Sequence, residues 1–238
     1  MMKYRIALVA LAAAVALSAC ARTKQVEVSG ETKFLTPETA AMLEPNEDKF
    51  TLEQRYVAPP ETLARYNKVL VDPIMFMTAP DEKGEISAEN KQRMANAFHQ
   101  LLAQELGNDY DVVTEPQANT IRVQVAVIKA TKKNVTLDTV STLAPAGLAL
   151  SLTAEQFTGE PTFTGQLAIE AKMTDSQTGE LLGAGRDARA GGKEWTKDQF
   201  DAWDNVLAAM GFYAKLARYR FCTESGRSEC IEPAVQYQ

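Results

Sequence analysis

Runs and alternations of apolar residues divide the chain into the strands of an α+β fold. A continuous apolar run at 68–77 predicts a strand that is covered on both faces, and Pro73 within it predicts a bulge or a sheet edge. Apolar and polar residues alternate at 121–127 and again at 163–173. This alternation predicts two strands with one apolar face each, and it places Glu170 on the polar face of the second strand.

A hairpin and a helix follow from shorter patterns. The polar stretch 175–180 predicts a hairpin turn into a strand at 181–190. Ser87 can cap a helix that ends at Gly107, where a left-handed residue is expected. His99 lies at the border of the apolar stripe of this helix, and we interpret it as a half-covered structural histidine. The stripe consists of Met94, Phe98, Leu101 and Leu102.

A second helix is predicted near the end of the chain. Residues 196–199 have the form of a capping box, and Trp195 and Phe200 can form a hydrophobic staple around it. Apolar residues at helical spacing form its core face: Phe200, Trp203, Leu207, Met210, Ala214 and Phe221. With a short strand at 110–113, the order is strand-helix-strand-strand-insertion-strand-strand-helix. This order predicts an α+β fold, with a mixed or antiparallel sheet of about five strands and two main helices on one face.

The insertion at 135–153 is rich in apolar residues, and Asp138 is its only charged residue. One interpretation, which we favour, is a lid that closes the open face of the sheet. The other is a surface for a partner or the membrane, because large exposed apolar patches mark such sites. In that case Leu143, Leu148 and Leu150 are the candidate contact residues.

The first residues have the order of a secretory signal peptide that ends in a lipidated cysteine. A basic start precedes a run of twelve apolar residues at 6–17, and small residues lead to Cys20. The run is too short to span a bilayer, which takes about 20 apolar helical residues. A buried helix or an ordinary secretion signal is the alternative, but neither requires a cysteine at this place. Leu17-Ser18-Ala19-Cys20 resembles the lipobox of bacterial lipoproteins.

This resemblance implies a location and a domain organisation. Residues 1–19 are then a removed signal peptide, and Cys20 carries the diacylglycerol. Because Ala21 is not the aspartate associated with inner-membrane retention, the resemblance implies the outer membrane, facing the periplasm. We assign residues 20–33 to a lipidated tether, 34–230 to a single periplasmic domain and 231–238 to a loose tail. The apolar Phe34-Leu35 pair predicts that the start of the domain packs across the remainder.

Composition narrows the classes of partner. The apolar fraction of 45% and the charged fraction of 24% are those of an ordinary globular protein. A net charge of −6 and a pI near 5.0 argue against nucleic acid and against electrostatic attraction to anionic lipid. The expected partners are the membrane, through the lipid anchor, and another envelope protein.

The two remaining cysteines predict a disulfide. With Cys20 assigned to lipid, Cys222 and Cys230 would face an oxidising compartment, where pairing is the simplest outcome. The bond would close a short loop and contribute about 2–3 kcal/mol. Metal binding is the competing interpretation, but the single histidine, His99, is far away in sequence.

No pattern of catalytic residues stands out. Catalysis needs a nucleophile with a base, paired acids in a pocket or metal ligands at usable spacing. Ser87 and Ser151 lie outside any nucleophile-elbow pattern. The glycines at 179, 183 and 185 are not followed by the Lys-Ser/Thr of a phosphate loop, so we interpret them as hairpin and strand glycines. We therefore expect no enzymatic activity, no cofactor and no metal.

One further resemblance covers most of the chain. Residues 65–73, together with the Phe34-Leu35 arm before them and the 175–182 hairpin after them, resemble a family of bacterial lipoproteins known as domain of unknown function 3313. The resemblance extends over roughly residues 34–225 and implies a fold without implying a mechanism. More distantly, the chain is similar to the periplasmic domain of the curli-secretion lipoprotein and to the amino-terminal domain of TolB. The curli channel oligomerises into a pore through inserted hairpins, but the insertion here lacks the long alternating strands of a barrel.

Three functional hypotheses follow. The first is a non-catalytic outer-membrane lipoprotein whose periplasmic α+β domain binds an envelope partner. The second is an oligomeric secretion or transport accessory, in which the apolar insertion joins copies of the chain. The third is a hydrolase that acts on envelope material.

Overall fold

The sheet forms where the sequence alternates, and shorter strands extend it on both sides. The structure is a computed structural model that describes residues 23–28, 30–48, 50–78, 86–131, 165–191 and 204–233. Within these ranges the strands are β1 Thr23–Val26, β2 Glu44–Pro45, β3 Gln54–Val57, β4 Lys68–Val71, β5 Met75–Phe76, β6 Asp111–Val112, β7 Thr120–Thr131, β8 Gln166–Asp175 and β9 Leu181–Gly191. The helices are α1 Pro37–Ala40, α2 Pro60–Leu63, α3 Ala88–Leu106 and α4 Asp204–Glu224.

All nine strands of the described residues belong to one mixed sheet. Its order is β2-β3-β9-β8-β7-β4-β6; β1 also pairs with β9, and β5 also pairs with β7. The pairs β7–β8, β8–β9, β3–β9, β1–β9 and β2–β3 are antiparallel, whereas β4–β7, β5–β7 and β4–β6 are parallel. The predicted α+β class is confirmed. The predicted number of strands is too low, because six of the nine are only two to four residues long and too short to show a periodicity.

The apolar run at 68–77 forms two strands rather than one. β4 pairs with Thr120–Val123 and β5 with Ala126–Val127, so three residues oppose two between them. This is the bulge predicted at Pro73. The Asp72 amide still donates to the Val123 carbonyl at 2.9 Å, and the Asp72 carboxylate accepts from Arg122 at 2.9 Å and from Gln124 at 2.8 Å.

Helices α3 and α4 pack together on one face of the sheet, as predicted. The Ser87 hydroxyl accepts a hydrogen bond from the Asn90 amide at 3.2 Å, which confirms the N-terminal cap of α3. Gly107 follows α3, but its φ of −64° is right-handed, so that prediction is wrong. Glycine is needed there for a close approach instead, because a Cβ would lie 2.9 Å from the Ala103 carbonyl oxygen.

The core between the sheet and the helices contains most of the predicted stripe residues. Met94, Phe98 and Leu102 of α3 are buried, whereas Leu101 is half-buried. In α4 the predicted residues Met210, Ala214 and Phe221 are buried. Leu207 is 41% exposed, so its assignment to the core face is wrong. The buried face of α4 is centred on Val206, Ala209, Met210, Tyr213 and Leu216, and Leu207 lies beside it.

Some predictions about α4 fall on residues outside the described ranges. These are the capping box at 196–199, the staple of Trp195 and Phe200, and the core residue Trp203. The hairpin turn at 175–180 is confirmed: the Asp175 amide donates to the Glu180 carbonyl at 2.9 Å, and Gly179 has a φ of 77°. Among the described residues, the helices do not include one that is long and apolar enough to cross a membrane.

The opposite face of the sheet carries a second, smaller apolar cluster. Phe34 and Met75 pack against it, and Leu35 is 5% exposed, so the predicted packing of the arm is confirmed. Part of the segment 20–33, which we assigned to a tether, belongs to the folded domain, because Thr23–Val26 pairs with β9 and Val28 is buried. The cluster consists of Val26, Val28, Ala126, Ile128, Ala168, Ala188 and Ala190.

Candidate functional site

An apolar cavity of about 130 Å³ lies between the helix-covered face of the sheet and the two long helices. Val123 of β7, with Ile169 and Met173 of β8, belongs to its floor. Phe98 of α3 and Leu216 of α4 belong to its roof. Strand alternation directs the floor side chains to one face of the sheet, and helical spacing directs the roof side chains towards them.

The cavity exists because small residues stand where large ones would fill it. Ala171, Gly183 and Gly185 belong to its floor, and Ala217 to its roof. Ala171 and Met173 remain half-buried, although they lie mid-sheet on the face that the helices cover. Among the described residues, these small side chains leave a space of about 130 Å³ that is open at one end.

Gly185 also allows a neighbouring segment to close the floor. A Cβ at this position would lie 2.6 Å from Leu52 Cδ1 and 2.8 Å from the Gln54 carbonyl oxygen. A side chain there would therefore displace the segment that leads into β3. The absence of a side chain at Gly185 lets Leu52 lie against the backbone of β9.

Charged side chains surround the end of the cavity between β3 and the end of α4. Arg55 Nη1 lies 2.5 Å from Glu224 Oε1, and Arg220 Nη2 lies 2.7 Å from Asp48 Oδ2. Arg220 Nη1 lies 3.8 Å from Glu224 Oε1, so the two arginines share one glutamate. The side chains of Arg55, Arg220 and Glu224 are 24%, 19% and 23% exposed, so this end of the cavity reaches solvent. The Nε–H of Arg220 is buried and has no hydrogen-bond partner among the residues that the structure describes.

A buried ion pair lies beneath α4 on the same face of the sheet. Arg189 Nε is 3.1 Å from Asp187 Oδ2, and both side chains are completely buried. The Arg189 guanidinium lies 4.0 Å from the centre of the Phe212 ring, which stabilises the cation. Gln25 Nε2 donates to Asp187 at 2.5 Å, and the Glu53 amide donates at 3.1 Å.

Burial raises the pKa of Asp187, and the nearby Arg189 guanidinium and the donors from Gln25 and Glu53 oppose this effect. The hydroxyl of buried Tyr213 lies near the same carboxylate but outside hydrogen-bonding geometry. Its pKa is raised well above the ordinary value by burial and by the charge of Asp187.

A second buried carboxylate, Glu170, holds the arm on the opposite face. Its side chain is fully buried, and Oε2 accepts from the amides of Lys33 at 3.0 Å, Phe34 at 2.6 Å and Leu35 at 3.1 Å. Arg186 Nε lies 4.0 Å away, and Arg186 Nη2 donates to the Gly30 carbonyl at 3.0 Å. Because Glu170 and Asp187 point to opposite faces of the sheet, they do not form the paired acids of a hydrolase.

Some of the predicted site residues lie within the described ranges, and others do not. Cys222 and Cys230 form the expected disulfide, with their Cα atoms 5.6 Å apart. His99 is half-buried, and its Nε2 lies 3.1 Å from the Val71 carbonyl oxygen, in agreement with a structural role. Cys20 lies outside the described residues, as do Leu143, Leu148 and Leu150. The part of the chain that is described contains no group of three metal-ligating side chains.

The charged residues of β8 and β9 were not identified from the sequence. Alternation placed Glu170 on a polar face, but the arm covers that face and buries it. A signal was nevertheless present for the ion pair: Asp187 and Arg189 are two residues apart in an otherwise Gly- and Ala-rich strand, so they share one face.

Comparison with known proteins places the chain in a family. The family described as protein of unknown function (DUF3313) matches residues 31–217. The chain belongs to this family. No significant match was found among curated proteins.

Solved structures resemble this DUF3313 protein at low sequence identity. The PelC dodecamer from Paraburkholderia phytofirmans is 14% identical, with 66% of this chain and 89% of PelC covered and a TM-score of 0.39. Protein XCC0632 from Xanthomonas campestris, of family DUF330, is 8% identical, with 73% and 93% covered and a TM-score of 0.41. Lipoprotein GNA1162 from Neisseria meningitidis is 13% identical, with 56% and 86% covered and a TM-score of 0.31.

Proposed function

We propose that this DUF3313 protein is a lipoprotein of the outer membrane whose periplasmic α+β domain binds another envelope protein without catalysing a reaction. The signal-like residues 1–19 and the lipobox-like sequence that ends at Cys20 support the anchor. The Cys222–Cys230 disulfide supports an oxidising compartment such as the periplasm.

The strand register supports the location that we propose for the partner-binding surface. Thr131 of β7 pairs with Gln166 of β8, Gln166 pairs with Ala190 of β9, and Ala190 pairs with Lys24 of β1. The strand ends that flank the apolar segment 135–153 therefore lie beside the start of β1. Cys20 is three residues before β1 in the sequence. The chain therefore enters β1 at the end of the sheet where β7 ends and β8 begins.

We therefore assign the contact with the partner to Leu143, Leu148 and Leu150. A partner that meets these residues would be held near the membrane surface, since the lipid on Cys20 restrains the same end of the sheet. Two or more acyl chains are needed for firm anchoring, and the modified cysteine of bacterial lipoproteins supplies them.

Metabolic labelling tests the anchor. Cells that produce the wild-type chain or Cys20→Ser are grown with radiolabelled palmitate, and membrane fractions are separated. We expect label in the wild-type protein of the outer-membrane fraction and none in Cys20→Ser, because the thiol carries the lipid. Equal label in both proteins, or none in either, would contradict the proposal.

Site-specific crosslinking in intact cells tests the partner surface. A photo-crosslinking amino acid is placed at Leu148 and, as a control, at Glu180, which is exposed in the hairpin turn at the other end of the sheet. We expect a discrete crosslinked protein from position 148 and none from position 180. A product that contains a second copy of the chain would support the oligomeric accessory instead. Failure to crosslink from either position would contradict a partner surface at 135–153.

A further inference from the structure

The cavity beneath α4 has the properties of a binding site for a hydrocarbon chain. We infer that it binds a short acyl chain of about eight carbons, with an oxygen of the head group at the arginine-lined mouth. This inference goes beyond the proposed function and does not depend on the anchor at Cys20, because every residue that forms the cavity belongs to the folded domain.

The walls match an alkyl chain in polarity and size. Side chains such as Val123, Ile169 and Leu216 present only carbon to the space, and Met173 supplies a flexible thioether beside them. An apolar cavity of about 150 Å³ in another protein stays dry and accepts benzene. A space of about 130 Å³ is therefore suited to roughly the last six carbons of a chain.

The mouth provides guanidinium donors that can meet an oxygen. Asp48 takes Nη2 of Arg220, and Glu224 faces Nη1 of both Arg220 and Arg55. The side chains of Arg220 and Arg55 are still 19% and 24% exposed, so part of each guanidinium is open to a ligand. An arginine has five N–H donors, and charge-assisted hydrogen bonds from them to an oxygen are strong. A carboxylate or an ester carbonyl supplies such an oxygen.

Charge at the mouth disfavours a cationic head group. The guanidinium groups of Arg55 and Arg220 both lie against Glu224, so the negative charge of this glutamate is already paired. An ammonium has only donors and cannot accept a hydrogen bond from either arginine. The ligand is therefore an acyl chain with an oxygen-bearing head, either a free fatty acid or an esterified acyl group.

Calorimetric titration of matched eight-carbon compounds tests the inference. The full chain with Cys20→Ser, purified without detergent, is titrated with octanoate, 1-octanoylglycerol and n-octylamine. We expect saturable binding of octanoate or 1-octanoylglycerol that is at least tenfold tighter than that of octylamine. Preference for octanoate identifies a fatty acid as the ligand class, and equal binding of the ester identifies a lipid acyl group. Absence of saturable binding by both, or equal binding of octylamine, would overturn the inference.

Two pairs of variants locate the binding. Ala217→Leu fills the cavity and should abolish binding, whereas Ala208→Leu, at a half-buried position of the same helix outside the cavity, should not change it. Arg220→Lys keeps a positive charge but removes the forked guanidinium donors, and should weaken octanoate binding about tenfold. Arg218→Lys, which pairs with Asp109 away from the cavity, is its control. Wild-type affinity in folded Ala217→Leu would overturn the inference.

Methyl NMR of the protein without cavity substitutions tests the same inference and does not depend on those variants. With ¹³C-methyl methionine, octanoate should shift the resonance of Met173 in the cavity floor and leave that of exposed Met42 unchanged. A shift of Met42 without one of Met173 would place the ligand elsewhere and overturn the inference.

Discussion

At the scale of single residues, the unusual feature is the number of charges buried by β8 and β9. Asp187 and Arg189 lie beneath α4, and Glu170 and Arg186 lie beneath the arm. Burying an ion pair costs several kcal/mol of desolvation per ion, which is offset only by good geometry and additional hydrogen bonds. Each carboxylate has such bonds, from Gln25 and the Glu53 amide in one case and from three amides of the arm in the other.

The buried Asp187 predicts a pH dependence of stability. Burial raises its pKa above the ordinary value of 3.8, so the folded protein binds the proton more tightly than the unfolded chain. The associated stabilisation is complete below that ordinary value and is lost as the pH rises through the folded pKa. The free energy of unfolding of the wild type, relative to Asp187→Asn, should therefore fall as the pH rises above about 4.

Urea unfolding of both proteins at several pH values measures this difference. Glu53, whose pKa burial also raises, is present in both proteins, so most of its contribution cancels. Exposed Asp111→Asn is the control and should give a flat difference. A flat difference for Asp187→Asn as well would show that Asp187 does not titrate as its burial requires.

These residues show what the alternation of a strand can and cannot predict. Alternation correctly grouped Leu167, Ile169 and Met173 on one face and Glu170 on the other. It does not predict what covers the second face, because the covering arm is more than 130 residues away in sequence. Glu170 therefore resembled a solvent-exposed strand residue.

At the scale of elements, the arm at 30–36 is held by a side chain rather than by strand pairing. The three amides of residues 33–35 converge on the Glu170 carboxylate, while Lys33 Nζ donates to the Ile128 carbonyl at 3.1 Å. Consecutive amides that converge on one anion form a strong, charge-assisted contact. One glutamate thus fixes the path of the chain across the second face of the sheet.

Removal of that carboxylate should release the arm. In Glu170→Ala three amides lose their acceptor and Arg186 remains buried without its anion, so we expect a loss of about 3–5 kcal/mol of unfolding free energy. Hydrogen exchange at Lys33, Phe34 and Leu35 should accelerate together. Glu170→Gln, which keeps an acceptor oxygen, should give a smaller change, and exposed Glu115→Ala should give none. Unchanged exchange at the three amides would refute the role of Glu170.

The elements that the sequence predicted well are those long enough to show a period. α3, β7, β8 and the hairpin at 175–180 each carry a cap, an alternation or a turn signal, and each was predicted. β1, β2 and β3 were not predicted; they have only two to four residues each, so neither alternation nor composition can identify them. Their pairing depends on neighbours that other parts of the chain provide.

At the scale of the whole molecule, the disulfide fastens the chain after α4 to the core. Cys230 joins Cys222 at the end of α4. Between them, the Arg227 guanidinium lies 4.4 Å from the centre of the buried Tyr110 ring, and Arg227 Nη1 donates to the Asp109 carbonyl at 3.2 Å. The loop therefore covers one end of the core next to α3.

Loss of the disulfide should lower stability without changing the fold. In the double variant Cys222→Ser, Cys230→Ser the unfolded chain gains the entropy of an open nine-residue loop, which corresponds to about 2–3 kcal/mol. Thermal unfolding should show a lower Tm, and the reduced wild type should match the double variant. Equal Tm values for the oxidised wild type and the variant would show that the bond does not constrain the unfolded chain.

The cavity could not be predicted from the sequence, because it belongs to no single element. Its walls come from β3, β7, β8, β9, α3 and α4, which span the chain from Thr51 to Glu224. Alanines and glycines in these elements are ordinary in strands and helices. The space arises only where these small residues come together from different elements, and that depends on how the elements pack.

The pairing of β9 determines when the first part of the chain can fold. Val26 pairs with Ala188, and Gln54 pairs with Arg186, so β1 and β3 both depend on a strand that is made more than 130 residues later. Such long closures slow folding. A chain that emerges from a ribosome or across a membrane does so with its amino terminus first. Its first 60 residues, which include β1 and β3, then have no strand to pair with until β9 has emerged. A chaperone that binds unfolded segments would therefore have access to these residues for longer than to the middle of the chain.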